Sequence, residues 1–221
     1  MQGTVAPGKD IFSQSFAIMF VGLGISCASS LLVSANSSLA SWLMNNPFVT
    51  LFLVIIELIL VFILSSSIMR MSYGSAIFAF VFYAALNGIT LSSVLMLYQI
   101  RSVAIAFFSA ALVFGIMAVY GSTTRRDLSS FGSIGFMALI GVIIASLINL
   151  LVKSDVVGYV VSYIAVGIFI ILTAYDTQKL KEIATTSDSP NLGIYGALTL
   201  YLDFVNIFLN LLNIFGRRRR D

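Results

Sequence analysis

The chain has 221 residues, of which 59% are hydrophobic and 10% charged, with a formal net charge of +3 and a mean hydropathy of +1.04. Soluble domains carry about 25% charged residues, so a soluble globular protein is excluded and a polytopic membrane protein is indicated. There is no histidine, which removes the usual near-neutral titrating group and most transition-metal sites, and the single cysteine, Cys27, can form no intrachain disulfide.

Seven apolar segments, each long enough to cross a bilayer, follow one another at 15–35, 48–69, 74–98, 103–121, 131–152, 156–176 and 192–215. The expected fold is all-α, a single transmembrane domain of seven helices. The polar leader Met1 to Ser15 precedes a full-length apolar run, so a cleaved secretory signal is not expected. Gly22 and Gly24 in the first segment, and Asn87-Gly88 in the third, are read as points of close helix approach. Turns are marked by Asn45-Asn46-Pro47, by Met69 to Gly74, by Gln99 to Ser102, by Ser122 to Ser130 and by Lys153-Ser154-Asp155. The last connection, Asp176 to Asn191, is the longest. Its first half, TQKLKEIA, keeps helical character, so the sixth helix should run on beyond the membrane, while TTSDSPN reads as a loop.

Orientation follows from Lys and Arg near the membrane. Lys9, Arg70, Arg125, Arg126, Lys179 and Lys181 share one side, against Arg101 and Lys153 on the other, which places the N-terminus in the cytoplasm. The tail Arg217 to Arg220 makes the count six against six if the seventh helix crosses fully; otherwise the helix re-enters and the tail lies inside. The length of the apolar stretch favours full crossing. The tail reads as a headgroup anchor; no nucleic-acid partner is expected, because no basic domain with interleaved aromatics accompanies it.

The seventh segment organises the rest. Thr199, Asp203, Asn206, Asn210 and Asn213 recur at steps of four, three, four and three, so they line one helical face. An acid at the bilayer centre costs roughly 2.5–3.5 kcal/mol on insertion scales. The stripe should therefore face other helices or a wet cavity, with this helix at the centre of the bundle. Three acids lie in or at the apolar segments, Glu57, Asp176 and Asp203. If the seventh helix enters the bilayer near Ala197, Asp203 lies about 9 Å deep, a depth that Asp176 can share when the sixth helix continues. Two carboxylates in one poorly solvated site cannot both ionise cheaply and titrate as a unit. Sharing a proton, they would hold two helices together; deprotonated, they would repel and offer oxygens to a hard cation such as Ca²⁺. Each acid also has a plainer reading: a solvated helix end for Asp176, a hydrogen-bonded structural acid for Asp203, a buried polar pair for Glu57. Arg70 could reach the acid pair or simply snorkel to headgroups. Arg125, Arg126 and Asp127 read as an anchor.

The phrase Thr173-Ala-Tyr-Asp-Thr-Gln-Lys179, followed by Leu198-Thr-Leu-Tyr-Leu-Asp-Phe-Val-Asn206, resembles the two acidic signatures of the Bax-inhibitor-motif family. Tyr120-Gly-Ser-Thr-Thr-Arg-Arg-Asp-Leu128 is similar to that family's connection between helices four and five. The resemblance, to a bacterial member in particular, implies six helices around a seventh and a pH-sensitive calcium leak governed by paired aspartates, here Asp176 and Asp203. It makes Arg70 the candidate arginine that bonds to the pair; Glu57 and the stripe residues Asn206 and Asn210 are read as supporting residues. Many members carry a basic residue where this chain has Asn213, which puts in question an ion pair from that position to Glu57. The resemblance further implies a bacterial inner membrane, calcium and protons as the ions handled, the lipid bilayer as surroundings, and no bound cofactor or catalytic residue.

Two other readings compete. Intramembrane aspartyl proteases also pair a Tyr-Asp with an Asp on the next helix, but their second motif is Gly-x-Gly-Asp, where this chain has Leu200-Tyr-Leu-Asp203. A regulator of membrane proteases or of cell death, without transport, is the third.

Overall fold

The computed structural model describes residues 7–187 and 189–217. All the regular elements among them are helices: α1 (Pro7–Ala35), α2 (Ser37–Asn45), α3 (Pro47–Ser67), a single 3-10 turn (Ile68–Arg70), α4 (Tyr73–Leu95), α5 (Ile100–Thr123), α6 (Ser129–Val152), α7 (Asp155–Thr186) and α8 (Leu192–Phe215). Seven of the helices are long and apolar enough to span a membrane. In hydrocarbon every backbone N–H and C=O must be satisfied within the protein, and a helix does this within its own segment. The chain is a polytopic all-α membrane protein.

Several segment boundaries differ from the sequence reading; α1, for one, begins at Pro7 and not at residue 15. The connection after the first span contains a further helix, α2. Asn36 caps it, its side chain accepting from the backbone N–H groups of Ser38 and Leu39 at 3.1 Å each. Leu43 is its buried anchor, and Pro47 opens α3, where a missing N–H costs nothing. The sixth span does not end at Asp176 but continues through Lys181 to Thr186, so the helical reading of TQKLKEIA holds and extends.

The chain divides into two compact units. Described residues 7–98 and 184–201 form the first, and 99–183 with 202–217 the second, so α8 gives its first half to one and its second half to the other. In the first unit α1 packs along α4, and α3 packs on α4. Gly88 sets the α1–α4 distance: a Cβ there would stand 2.3 Å from the Ser26 carbonyl oxygen. Gly22 makes room for the rings of Phe80 and Tyr201, whereas a Cβ on Gly24 would meet nothing within 4 Å, so Gly24 is not a packing glycine. In the second unit a Cβ on Gly121 of α5 would stand 2.1 Å from the Ala174 carbonyl oxygen of α7, and Gly132 of α6 lies beneath the Tyr175 ring. Thus α7 is gripped on two sides just before Asp176.

The spans differ in how much they bury. Only 11% of the apolar window of α3 is buried, and likewise of α6, against 72% for α8. Phe48, Phe52 and Phe62 of α3 are exposed, as lipid-facing side chains are, while Ala197, Leu198, Leu200, Tyr201, Ile207 and Leu212 of α8 are fully buried. The last helix is the most enclosed of the seven, as its polar stripe predicts.

Candidate functional site

Asp203 sits in the second half of α8, buried at 4% exposure. Its Oδ2 is buried with no hydrogen-bond partner among the described residues. Across from it, α7 presents Thr173 and Asp176, one helical turn apart. The Thr173 hydroxyl is within hydrogen-bonding reach of the Asp203 carboxyl, and the charge of Asp176 bears directly on it. Thr173 is fully buried and bonds back to the Phe169 carbonyl at 2.7 Å. Asp176 itself is half-buried, and the Lys179 charge bears on it from the next turn. The Lys179 ammonium stands 5.5 Å from the centroid of the Tyr175 ring. The two aspartates the sequence singled out thus belong to one unit and one electrostatic site. Thr173, three residues before Asp176, is the member that sequence reasoning passed over, although its spacing puts it on the same face.

Residues around the site hold α7 and the adjoining loop. Gln178 accepts from the Leu128 backbone N–H at 2.9 Å and donates to the Arg126 carbonyl at 2.8 Å. Lys181 donates to the Ser122 carbonyl at 2.6 Å. These bonds pin the α5–α6 connection to α7. Within it, the Ser129 hydroxyl and backbone N–H, the latter at 2.8 Å, hold the exposed Asp127 carboxyl below the ordinary carboxylate range. At the other end of the unit, the Gln99 N–H donates to the Arg217 carbonyl at 2.9 Å and the Arg217 N–H donates to Ser102 Oγ at 3.0 Å. The end of α8 therefore lies at the start of α5. Arg218 to Asp221 lie outside the described residues.

The remaining stripe residues serve their own helix. Asn206 donates to the Leu202 carbonyl and Asn210 to the Asn206 carbonyl, each at 2.8 Å, and Thr199 donates to Tyr195 at 3.1 Å. Asn213 instead reaches Ser162 of α7 at 2.8 Å.

Glu57 and Arg70 belong to the first unit. Arg70 is exposed, on the 3-10 turn whose neighbourhood is tied to the start of α8: Asn191 Nδ2 donates to the Ile68 carbonyl at 2.8 Å and the Met71 carbonyl at 2.6 Å. Glu57 is 7% exposed, and both of its oxygens accept hydrogen bonds from α4. Asn87 Nδ2 donates to Oε2 at 3.0 Å, and the Thr90 hydroxyl donates to Oε1. Asn87 Oδ1 accepts in turn from the Tyr201 hydroxyl at 2.8 Å, and Tyr201 lies 2.7 Å from Ser26 Oγ on α1. The Tyr201 ring stands edge-on to Phe80 and Tyr83, at centroid distances of 5.9 and 6.0 Å. Sequence reasoning took Asn87 for packing and left Thr90, Tyr201 and Ser26 unassigned. Each is unremarkable alone, and only the fold brings them to one acid.

Among the described residues no three acids, cysteines or histidines gather as a metal cage. The aspartate pair can offer at most four carboxylate oxygens, where Ca²⁺ takes six to eight oxygen ligands.

Comparison with known proteins agrees with the motifs. Residues 9–220 match the family described as inhibitor of apoptosis-promoting Bax1. The chain is 45% identical over 213 residues to the inner membrane protein YbhL of Escherichia coli, covering 94% of this chain and 91% of that protein. It is 41% identical over 214 residues to an uncharacterised membrane protein of Streptococcus pyogenes, covering 95% and 93%.

Proposed function

Because the chain belongs to the Bax inhibitor-like family, we propose that it is a pH-sensitive cation leak with Ca²⁺ as its main ion and Asp176 and Asp203 as its gate. The observation that carries this reading is the buried, unpartnered Asp203 Oδ2 beside a second carboxyl. Such an oxygen calls for a proton, an ion or a water. A shared proton lets Asp176 and Asp203 approach and holds α7 against the second half of α8. When it leaves, like charges repel and the carboxylates become ligands for a passing cation. The closed form binds more protons, so acid favours it and rising pH favours opening. Calcium competes with the shared proton for the same oxygens. Arg70, if it comes to the pair in the working cycle, favours opening.

The protease reading loses support from the same helix. Leu200 and Tyr201 are fully buried, so the backbone before Asp203 is closed to a substrate chain where the protease motif has glycines. The protein is read as a non-enzyme. Its E. coli relative is named an inner membrane protein, and we place this chain in a bacterial plasma membrane with a cytoplasmic N-terminus. Reporter fusions after residues 100 and 126 then report opposite sides.

The deciding test is ion flux into liposomes loaded with a calcium dye, measured against pH with purified protein. Wild type passes Ca²⁺ faster as pH rises, and Asp203→Asn loses that dependence while remaining folded. If Asp203→Asn leaks at the wild-type rate with the wild-type pH dependence, the gate is elsewhere.

A further inference from the structure

Glu57 is the one acid in the interior of the first unit's spans. The other charged residues of α1 to α4 and the 3-10 turn are Lys9 and Asp10 in the first turn of α1 and the exposed Arg70. Residues 192–201 of α8 carry none. The titratable groups on which the Glu57 charge bears are two phenols, Tyr83 of α4 and Tyr201 of α8. No Lys or Arg of these helices lies near the middle of α3, so the carboxyl is met by hydrogen-bond donors instead of a cation.

These donors form a chain with a direction. With Glu57 ionised, Ser26 donates to the Tyr201 oxygen, Tyr201 donates to Asn87 Oδ1, and Asn87 Nδ2 donates to Glu57 Oε2. Every link can also run the other way. A protonated Glu57 donates from Oε2 to Asn87 Oδ1 once the amide has turned over, since an amide offers an acceptor and donors at nearly the same places. The amide NH₂ then donates to the Tyr201 oxygen, and the Tyr201 hydroxyl to Ser26 Oγ. The Ser26 hydrogen is released to the Ala84 carbonyl, which already lies 2.7 Å away. Thr90 donates to Oε1 in both states. The proton comes from water and no covalent bond other than its O–H is made or broken. No hydrogen bond along the chain is lost in either state, and the backbone need not move.

We infer that the buried Glu57–Asn87–Tyr201–Ser26 chain is a second proton-binding site, separate from the aspartate pair, in which Asn87 and Tyr201 are positioning residues that reverse their hydrogen bonds as Glu57 gains or loses its proton. This goes beyond the proposed leak and does not depend on it. In a merely structural network the acid would hold one protonation state over the whole pH range in which the fold survives.

The test is pH-difference infrared spectroscopy of the purified protein, carried out in an Asp176→Asn/Asp203→Asn background so that Glu57 is the intramembrane acid left to titrate. Acidification should raise the C=O stretch of a protonated carboxyl, reversibly, and Glu57→Gln should abolish that band. Tyr201→Phe should keep the band but shift its frequency, because Asn87 then loses the partner that fixes its amide. If the background variant does not fold, wild type minus Glu57→Gln gives the same band. Identical difference spectra with and without Glu57→Gln, over the pH range the fold survives, overturn the site. A band unmoved by Tyr201→Phe overturns the chain. A leak that keeps its wild-type rate and pH dependence in Asp203→Asn, with the band intact, would refute the gate and leave this site standing.

Discussion

The two units each bury carboxyl groups, and they treat them in opposite ways. In the first, both oxygens of Glu57 receive donors, and those donors are fixed by further partners on α1 and α8. In the second, Asp203 keeps one oxygen buried and unpartnered, with a second carboxyl as its electrostatic neighbour. A satisfied network keeps its heavy atoms in place whichever way its hydrogen bonds run, whereas an orphaned oxygen leaves the packing around it sensitive to whatever next binds it. Burial alone therefore does not mark a gate. The distinguishing sign is burial without completed hydrogen bonding.

The sharpest way to break this contrast is to remove a donor from the satisfied site. Asn87→Leu leaves Glu57 Oε2 unpaired, at a cost of about 1–3 kcal/mol, and leaves the Tyr201 hydroxyl with Ser26 as its remaining partner. Thermal unfolding in detergent should show a marked fall in the midpoint, while Asp203→Asn should cause little change. Equal losses would mean that the two sites are both structural. Next in size, Gly121→Ala forces α5 off the Ala174 carbonyl and should cost about 1–3 kcal/mol, with the leak's pH response disturbed as α7 shifts. Gly115→Ala, with nothing within 4 Å of its Cβ, is the control and should be neutral.

The third measurement concerns the pair alone. Asp176→Asn, Asp203→Asn and the double variant should be non-additive in the pH midpoint of flux, the double showing little beyond the more severe single. Interaction of more than about one pH unit is what a coupled pair requires; full additivity would mean independent titration. Smallest of all, Asn206→Ala and Asn210→Ala give up bonds made only to their own helix. Each should change stability by less than about 0.5 kcal/mol and leave the flux profile in place.

How much of this the sequence carried depends on the kind of signal. The stripe on α8 was visible because five polar residues break an apolar run at helical spacing. The extension of α7 was visible because Gln178 to Ala184 keep good helix formers. What was hidden is which helix faces which. A span that is apolar nearly all round gives little rotational information. So Tyr201 passed for one more aromatic, and the bond from Gln178 to Leu128, fifty residues away, had no local trace. The helix α2 escaped because nine residues between two spans are too short to register as an apolar period of their own.

The backbone clamp at Arg217 bears on how the protein enters its membrane. It fixes the end of α8, with Arg217, at the start of α5 beside Gln99 and Ser102. In the expected topology with the tail outside, each side carries six basic residues, and charge summed over the finished chain selects no orientation. Selection falls to the order of synthesis. Lys9, Arg70 and the pair Arg125-Arg126 are made while the first four spans are threading, and early segments usually dominate the choice. The terminal arginines arrive once the other spans are committed, when they can fasten the last helix but can no longer turn the molecule over.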